Sequence, residues 1–176
     1  MNQKTFTNKY FLLSLVLITF ASTLRAQEKF KLSSAAFEHG KAIPAEYTCV
    51  GKDILPALSW SNVPKGTKSF AIIMDDPDAP KGTWVHWVIY NIPANLTLLP
   101  KGSAAADVKA KDGVNSWGST GYNGPCPPNG THTYVFKIFA LDSVLDTSDM
   151  TKDQLLEAMK GRVIAQAQLD GTFEKP

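Results

Sequence analysis

Three short segments hold most of the side chains able to bind or transform a ligand. The first is Asp75-Asp76-Pro77-Asp78-Ala79-Pro80, which follows an apolar run. Its prolines stiffen the exit from that run and restrict how Asp76 and Asp78 are aimed. The second is Trp84-Val85-His86-Trp87-Val88-Ile89-Tyr90, where strand alternation would put His86 and Trp84 on one face. The third runs from Gly121 to Tyr134 and includes Gly124-Pro125-Cys126-Pro127-Pro128 and His132. Its glycines let a ligand approach the backbone and leave N–H groups free, while its prolines shape the loop. Read singly, each segment has a plain alternative: a solvated turn, a hydrogen-bonded core histidine, a rigid connector. Together they put histidines, aspartates, tyrosine and tryptophan at the ends of neighbouring apolar runs, as in a concave pocket with a few convergent polar groups. His39, in Phe37-Glu38-His39-Gly40, stands apart and reads as a surface turn residue.

Two histidines with two aspartates could also hold a hydrolytic metal, since catalytic zinc sites use such ligands and keep one position open. The chain has no His-x-x-x-His or Glu-x-x-His spacing and no Gly-x-Ser-x-Gly nucleophile elbow. A metal-dependent hydrolase is therefore the weakest reading. The expectation is a non-enzyme without metal or cofactor.

The elements that must position these segments are mostly strands. Ser69–Met74, Val85–Ile92 and Thr133–Leu141 are short runs rich in β-formers and separated by Gly/Pro punctuation. Several are apolar on both faces, as in the interior of a β-sandwich. Thr151 and Gln154 have capping-box spacing, Leu155, Leu156 and Met159 form an apolar stripe, and Gly161 is suited to stopping a helix, so a helix is expected over about 152–160. After it, Val163, Ala165, Ala167 and Leu169 alternate with Ile164, Gln166, Gln168 and Asp170, which reads as a last strand with one mostly polar face.

The chain has 176 residues, of which 44% are hydrophobic and 19% charged, an ordinary globular composition that excludes a wholly disordered chain. Lys4 and Lys9 precede an apolar run from Tyr10 to Ala21, too short for a membrane span and followed by small residues. This pattern reads as a secretory signal peptide over residues 1–26, leaving one domain over 27–176 and a periplasmic or secreted protein. Loss of Lys4, Lys9 and Arg25 turns the formal charge of +2 into −1, which argues against nucleic-acid binding. No basic amphipathic helix supports a stable membrane anchor. Export permits a disulfide between Cys49 and Cys126; the alternative is two small buried residues.

The motifs resemble the phosphatidylethanolamine-binding protein (PEBP) family, in particular its bacterial Raf-kinase-inhibitor-like branch. The resemblance is carried by Asp76-Pro77-Asp78-Ala79-Pro80, by Trp84 to Trp87, and by Gly124-Pro125-Cys126-Pro127-Pro128 followed by His132 and Tyr134. Ile43-Pro44, Tyr47-Thr48-Cys49, Leu58-Ser59-Trp60 and Gln166 to Phe173 extend it over about residues 30–174. It implies a mainly β, Greek-key antiparallel β-sandwich with one or two short helices and a pocket for phosphate or a phospholipid headgroup. The lining carried over is Asp76, Asp78, His86 and His132, with Trp84, Ala79, Pro80, Gly121, Gly124, Pro125, Pro127 and Tyr134 as walls. It also makes Ala79–Pro80 a candidate cis bond, and it leaves inhibition of a protease or another enzyme by protein contact as the competing function. Two departures stand out: Thr133 where the family usually has Arg, and Leu55-Pro56-Ala57 where it usually has Ser-Pro-Pro. The pocket carboxylates are expected to raise the pKa of both imidazoles, so that anion binding strengthens as pH falls.

Overall fold

The structure, a computed structural model, describes Met1 and residues 28–176. Met1 aside, the signal peptide expected over residues 1–26 lies outside the described residues. The strands are β1 (Lys31–Ser34), β2 (Lys41–Ala42), β3 (Leu58–Ser61), β4 (Ser69–Asp76), β5 (Trp84–Pro93), β6 (Leu98–Leu99), β7 (Lys111–Asp112), β8 (Thr131–Leu141) and β9 (Val163–Glu174). A single α-helix among the described residues, α1 (Lys152–Ala158), precedes β9. None of the described helices is long and apolar enough to cross a membrane.

Two sheets form a mainly β sandwich. The smaller has the order β1-β3-β6 and the larger β2-β9-β8-β4-β5-β7. Within the larger sheet, β8 returns to lie beside β4 while β5 and β7 continue on the other side, a Greek-key order. The strand pairs are antiparallel except β2–β9, which is parallel.

Residues Ser69–Met74 read as apolar on both faces because β4 is central and all eight of its residues are buried. Phe70, Ile72 and Met74 join Leu58, Trp60, Phe136 and Ile138 between the sheets. Ala71 and Ile73 point the other way and pack with Leu145, Met150, Leu155 and Met159. The last strand alternates as expected, with Leu169 and Phe173 buried and Gln166 and Gln168 exposed.

The helix starts where the capping box places it. The Thr151 N–H donates to Gln154 Oε1 at 2.9 Å, and the Gln154 N–H donates to Thr151 Oγ1 at 3.4 Å. It stops two residues short of the expected end, with Met159 as C-cap and Gly161 at φ +70° in the following turn. Thr151→Ala should lower stability by about 1 kcal/mol, as measured by urea unfolding. Thr151→Ser, which keeps the acceptor, should lose only a few tenths of that cost.

Candidate functional site

The three chemical segments meet at one end of the large sheet, on its inner face. Asp76 ends β4 and pairs in register with Trp84 at the start of β5, while His132 and Tyr134 begin β8. Between β4 and β5, Met74 faces Trp87 and Asp75 faces Val85, so His86 is an extra residue in a β-bulge. A bulge re-aims a side chain out of the regular ladder, and here it allows His86 and Trp84 to line one cavity.

Asp76 organises the corner. Its Oδ2 lies 2.7 Å from His132 Nδ1, with both side chains almost fully buried at 4% and 7% exposure. Its Oδ1 accepts the Asp78 backbone N–H at 2.9 Å, and Asp78 Oδ2 in turn accepts the Thr133 N–H at 2.7 Å. The acidic turn is thus pinned to the start of β8 through main-chain donors. With both Asp76 oxygens engaged, its negative charge is tied up rather than presented bare to an incoming anion.

The cavity measures about 340 Å³ and is lined by Asp76, Ala79, Pro80, Lys81, Trp84, His86, Trp117, Cys126 and Pro128. This falls in the range of small-molecule sites. His86 Nδ1 sits 2.9 Å from the Asn123 carbonyl oxygen, so the neutral ring donates there and Nε2 is the acceptor. The ring packs edge-on against Trp117 and Tyr134, with centroids at 4.9 and 5.1 Å. Trp84 Nε1 and Tyr134 Oη are buried without a hydrogen-bond partner among the described residues. Such donors cost roughly 1–3 kcal/mol each when left unpaired, and for Trp84, which lines the cavity, an acceptor there would offset that cost.

The electrostatics correct one expectation. Burial pulls the His86 pKa below its ordinary 6.5, outweighing the Asn123 carbonyl and the Asp76 charge that favour the imidazolium. His86 is therefore mainly neutral at pH 7, not charged by its carboxylate neighbours. Burial, reinforced by Asp76, pushes the Tyr134 phenol up, so it stays protonated.

Several expected wall residues stand elsewhere. Gly121 lines a separate cleft with Asp53, Trp87 and Asp112. Gly124 does not offer a free donor: its N–H bonds Asp53 Oδ1 at 2.7 Å. A Cβ there would run into the Tyr47 carbonyl, so glycine is required by close chain packing rather than by a ligand. The Pro125 carbonyl accepts the Cys49 N–H at 3.1 Å, and Pro127 is buried outside the cavity wall. Asp78 is exposed and ties the turn to Thr133, while His132 and Tyr134 sit behind Asp76 and His86 as a second layer. Ala79–Pro80 is trans, there being no cis peptide bond among the described residues. His39 is exposed and accepts the Asp170 N–H at 3.1 Å.

Cys49 and Cys126 are bridged, with Cα atoms 5.4 Å apart. Among the described residues, no three His, Cys, Asp or Glu side chains are grouped to hold a metal ion. Sequence reasoning missed Lys81, Trp117 and Pro128 in the wall, and named Cys126 only as a disulfide partner. Trp117 was signalled by Asn115-Ser116-Trp117-Gly118, a turn in which Asn115 Oδ1 accepts the Trp117 N–H at 3.0 Å.

A family model described as phosphatidylethanolamine-binding protein matches residues 33–174. The chain belongs to the phosphatidylethanolamine-binding protein family. It is 46% identical over 151 residues to a UPF0098 protein of Chlamydia trachomatis, covering 82% of this chain and 99% of the relative. It is also 46% identical over 149 residues to a UPF0098 protein of Methanothermobacter thermautotrophicus, covering 82% and 98%. A crystal structure of a PEBP homologue from Chlamydia trachomatis superposes with a TM-score of 0.80 at 44% identity, covering 84% of this chain and 99% of that one. The crystal structure of Escherichia coli YbcL, described as a member of the mammalian PEBP family, gives 0.77 at 32% identity, with 85% and 100% covered. In this PEBP-family chain Thr133, where the resemblance led us to expect Arg, holds Asp78 through its backbone N–H.

Proposed function

We propose that this PEBP-family chain is an exported, non-catalytic binding protein for a small phosphate-bearing anion, free or as a phospholipid headgroup, with a regulatory role. The observation that carries the reading is the cavity beside His86, Trp84 and Lys81, where Trp84 Nε1 is a buried donor with no partner among the described residues. The Asp76–His132 pair supports it by fixing the acidic turn and occupying the carboxylate. The Cys49–Cys126 bridge suits an oxidising compartment, in line with the leader-like residues 1–26. Periplasmic or secreted material should carry an N-terminus near Gln27; full-length protein confined to the cytoplasm would refute export.

Binding should depend on pH in a defined direction. Because the His86 pKa lies below 6.5, the imidazolium forms only on the acid side of that value. Anion affinity should therefore rise as pH falls below about 6.5 and change little between pH 7 and 8. Sulfate is the cleaner probe, since unlike phosphate it does not change ionisation in this range. Calorimetric titration with sulfate and phosphate from pH 5.5 to 8 checks this. In His86→Ala the acid-side rise should vanish; a flat profile in the parent protein would overturn the role of His86.

A further inference from the structure

Asp75 and Asp76 are adjacent in β4 and point to opposite faces of the large sheet. Asp76 serves the cavity already described, and Asp75 lines a second one of about 570 Å³ under α1. Nothing in the anion-binding reading uses this groove. We infer that it is a separate binding site for a small organic carboxylate carrying an apolar body.

The sheet floor can be read from its register. Lys137 of β8 lies between Ile73 of β4 and Gln168 of β9, and the next row towards the β8 C-terminus brings Phe139 beside Gln166. The roof is α1, which contributes Lys152 and Leu156. These are four residues apart and so share one face of the helix. Floor and roof thus each supply one lysine, with Ile73 and Phe139 as the floor's large apolar side chains and Leu156 as the roof's.

The charges are not balanced. Lys152 Nζ bonds Asp75 Oδ2 at 2.7 Å, which neutralises that pair while leaving the ammonium two further donors. Lys137 is half-buried and makes no ion pair or side-chain hydrogen bond among the described residues. Of the two glutamines, Gln168 already donates to Asp170 Oδ1 at 2.7 Å. The groove therefore carries a net positive charge in a partly desolvated setting beside Ile73, Phe139 and Leu156. A carboxylate would neutralise Lys137 and take up spare donors of Lys152, while its apolar body would cover those three side chains. A cation would meet two ammonium groups, and a neutral apolar molecule would leave Lys137 unpaired. The volume falls within the ordinary span for small ligands.

The test uses 2-naphthoate as the probe and 2-naphthamide as its neutral counterpart. Backbone NMR signals of Ile73, Phe139 and Ala167 should shift on titration with 2-naphthoate. Its affinity should exceed that of 2-naphthamide by about tenfold, the worth of a charge-assisted hydrogen bond. Lys137→Gln should lose about tenfold in 2-naphthoate affinity with its unfolding midpoint retained. Leu156→Ser, on the exposed helix face, should also weaken binding. His86→Ala should leave it unchanged, which separates this site from the phosphate pocket. The inference is overturned if 2-naphthoate causes no shifts at millimolar concentration, if the shifts cluster around His86, or if naphthamide or Lys137→Gln gives the same affinity.

Discussion

Replacing both Cys49 and Cys126 with serine should destabilise the protein by about 4 kcal/mol. The bridge closes a loop with a sequence separation of 77, and the chain-entropy relation makes long closures the most stabilising. The local structure would not collapse, because three other ties join the same segments. The Cys49 N–H donates to the Pro125 carbonyl at 3.1 Å, the Gly124 N–H to Asp53 Oδ1 at 2.7 Å, and Tyr122 Oη to the Tyr47 carbonyl at 2.9 Å. The loss should therefore appear in global unfolding, as a fall in Tm on the order of 10 °C, with the far-UV spectrum unchanged. Cys126 also lines the cavity beside His86, so sulfate affinity should fall as the 121–130 loop loosens. A double variant with a Tm within 2 °C of the parent would show that those hydrogen bonds alone fix the loop. The same result could arise if the unfolded chain keeps the two segments together, and the denaturant slope separates the cases, since a compact unfolded state lowers it.

How much of this was legible beforehand depends on the range of the interaction. Local rules placed the ends of β4, β5 and β8 within two residues, because period and composition act along a single strand. The Thr151–Gln154 cap was readable for the same reason, as both partners lie within one turn. The meeting of Asp76, His86 and His132 was suggested by polar residues at the ends of neighbouring apolar runs and made specific only by the resemblance, since no local signal joins positions 56 residues apart such as Asp76 and His132. Three features were hidden by their tertiary origin. The bulge at His86 exists only in relation to β4. The need for glycine at 124 is set by the Tyr47 carbonyl of a distant segment. The direction of the His86 shift depends on burial outweighing a nearby carboxylate, a balance of magnitudes that residue types do not reveal.

The corner residue carries the largest expected single-site effect. Asp76→Ala should cost about 3 kcal/mol, since it strips the acceptor from a buried ring nitrogen and from a backbone N–H at roughly 1–3 kcal/mol each. Three consequences coincide: His132 Nδ1 loses its 2.7 Å partner inside the protein, the Asp78 N–H loses its acceptor, and a space opens beside Tyr134, whose hydroxyl has no partner among the described residues. Asp76→Asn separates hydrogen bonding from charge. Its amide oxygen can still accept from either the His132 ring or the Asp78 N–H, so the cost should be nearer 1–2 kcal/mol. Binding should rank in the same order, because the Ala79-Pro80 wall is held through Asp76 by way of the Asp78 N–H. Alanine should lose tenfold or more in sulfate affinity at pH 6, and asparagine much less. Urea unfolding and calorimetry on both variants supply the two readings. If alanine and asparagine lose equal affinity, the carboxylate charge matters rather than the fixed turn, and Asp76 would act on His86 and His132 through its field. If neither loses affinity, Asp76 is a stabilising residue only, and the anion is held without the acidic turn.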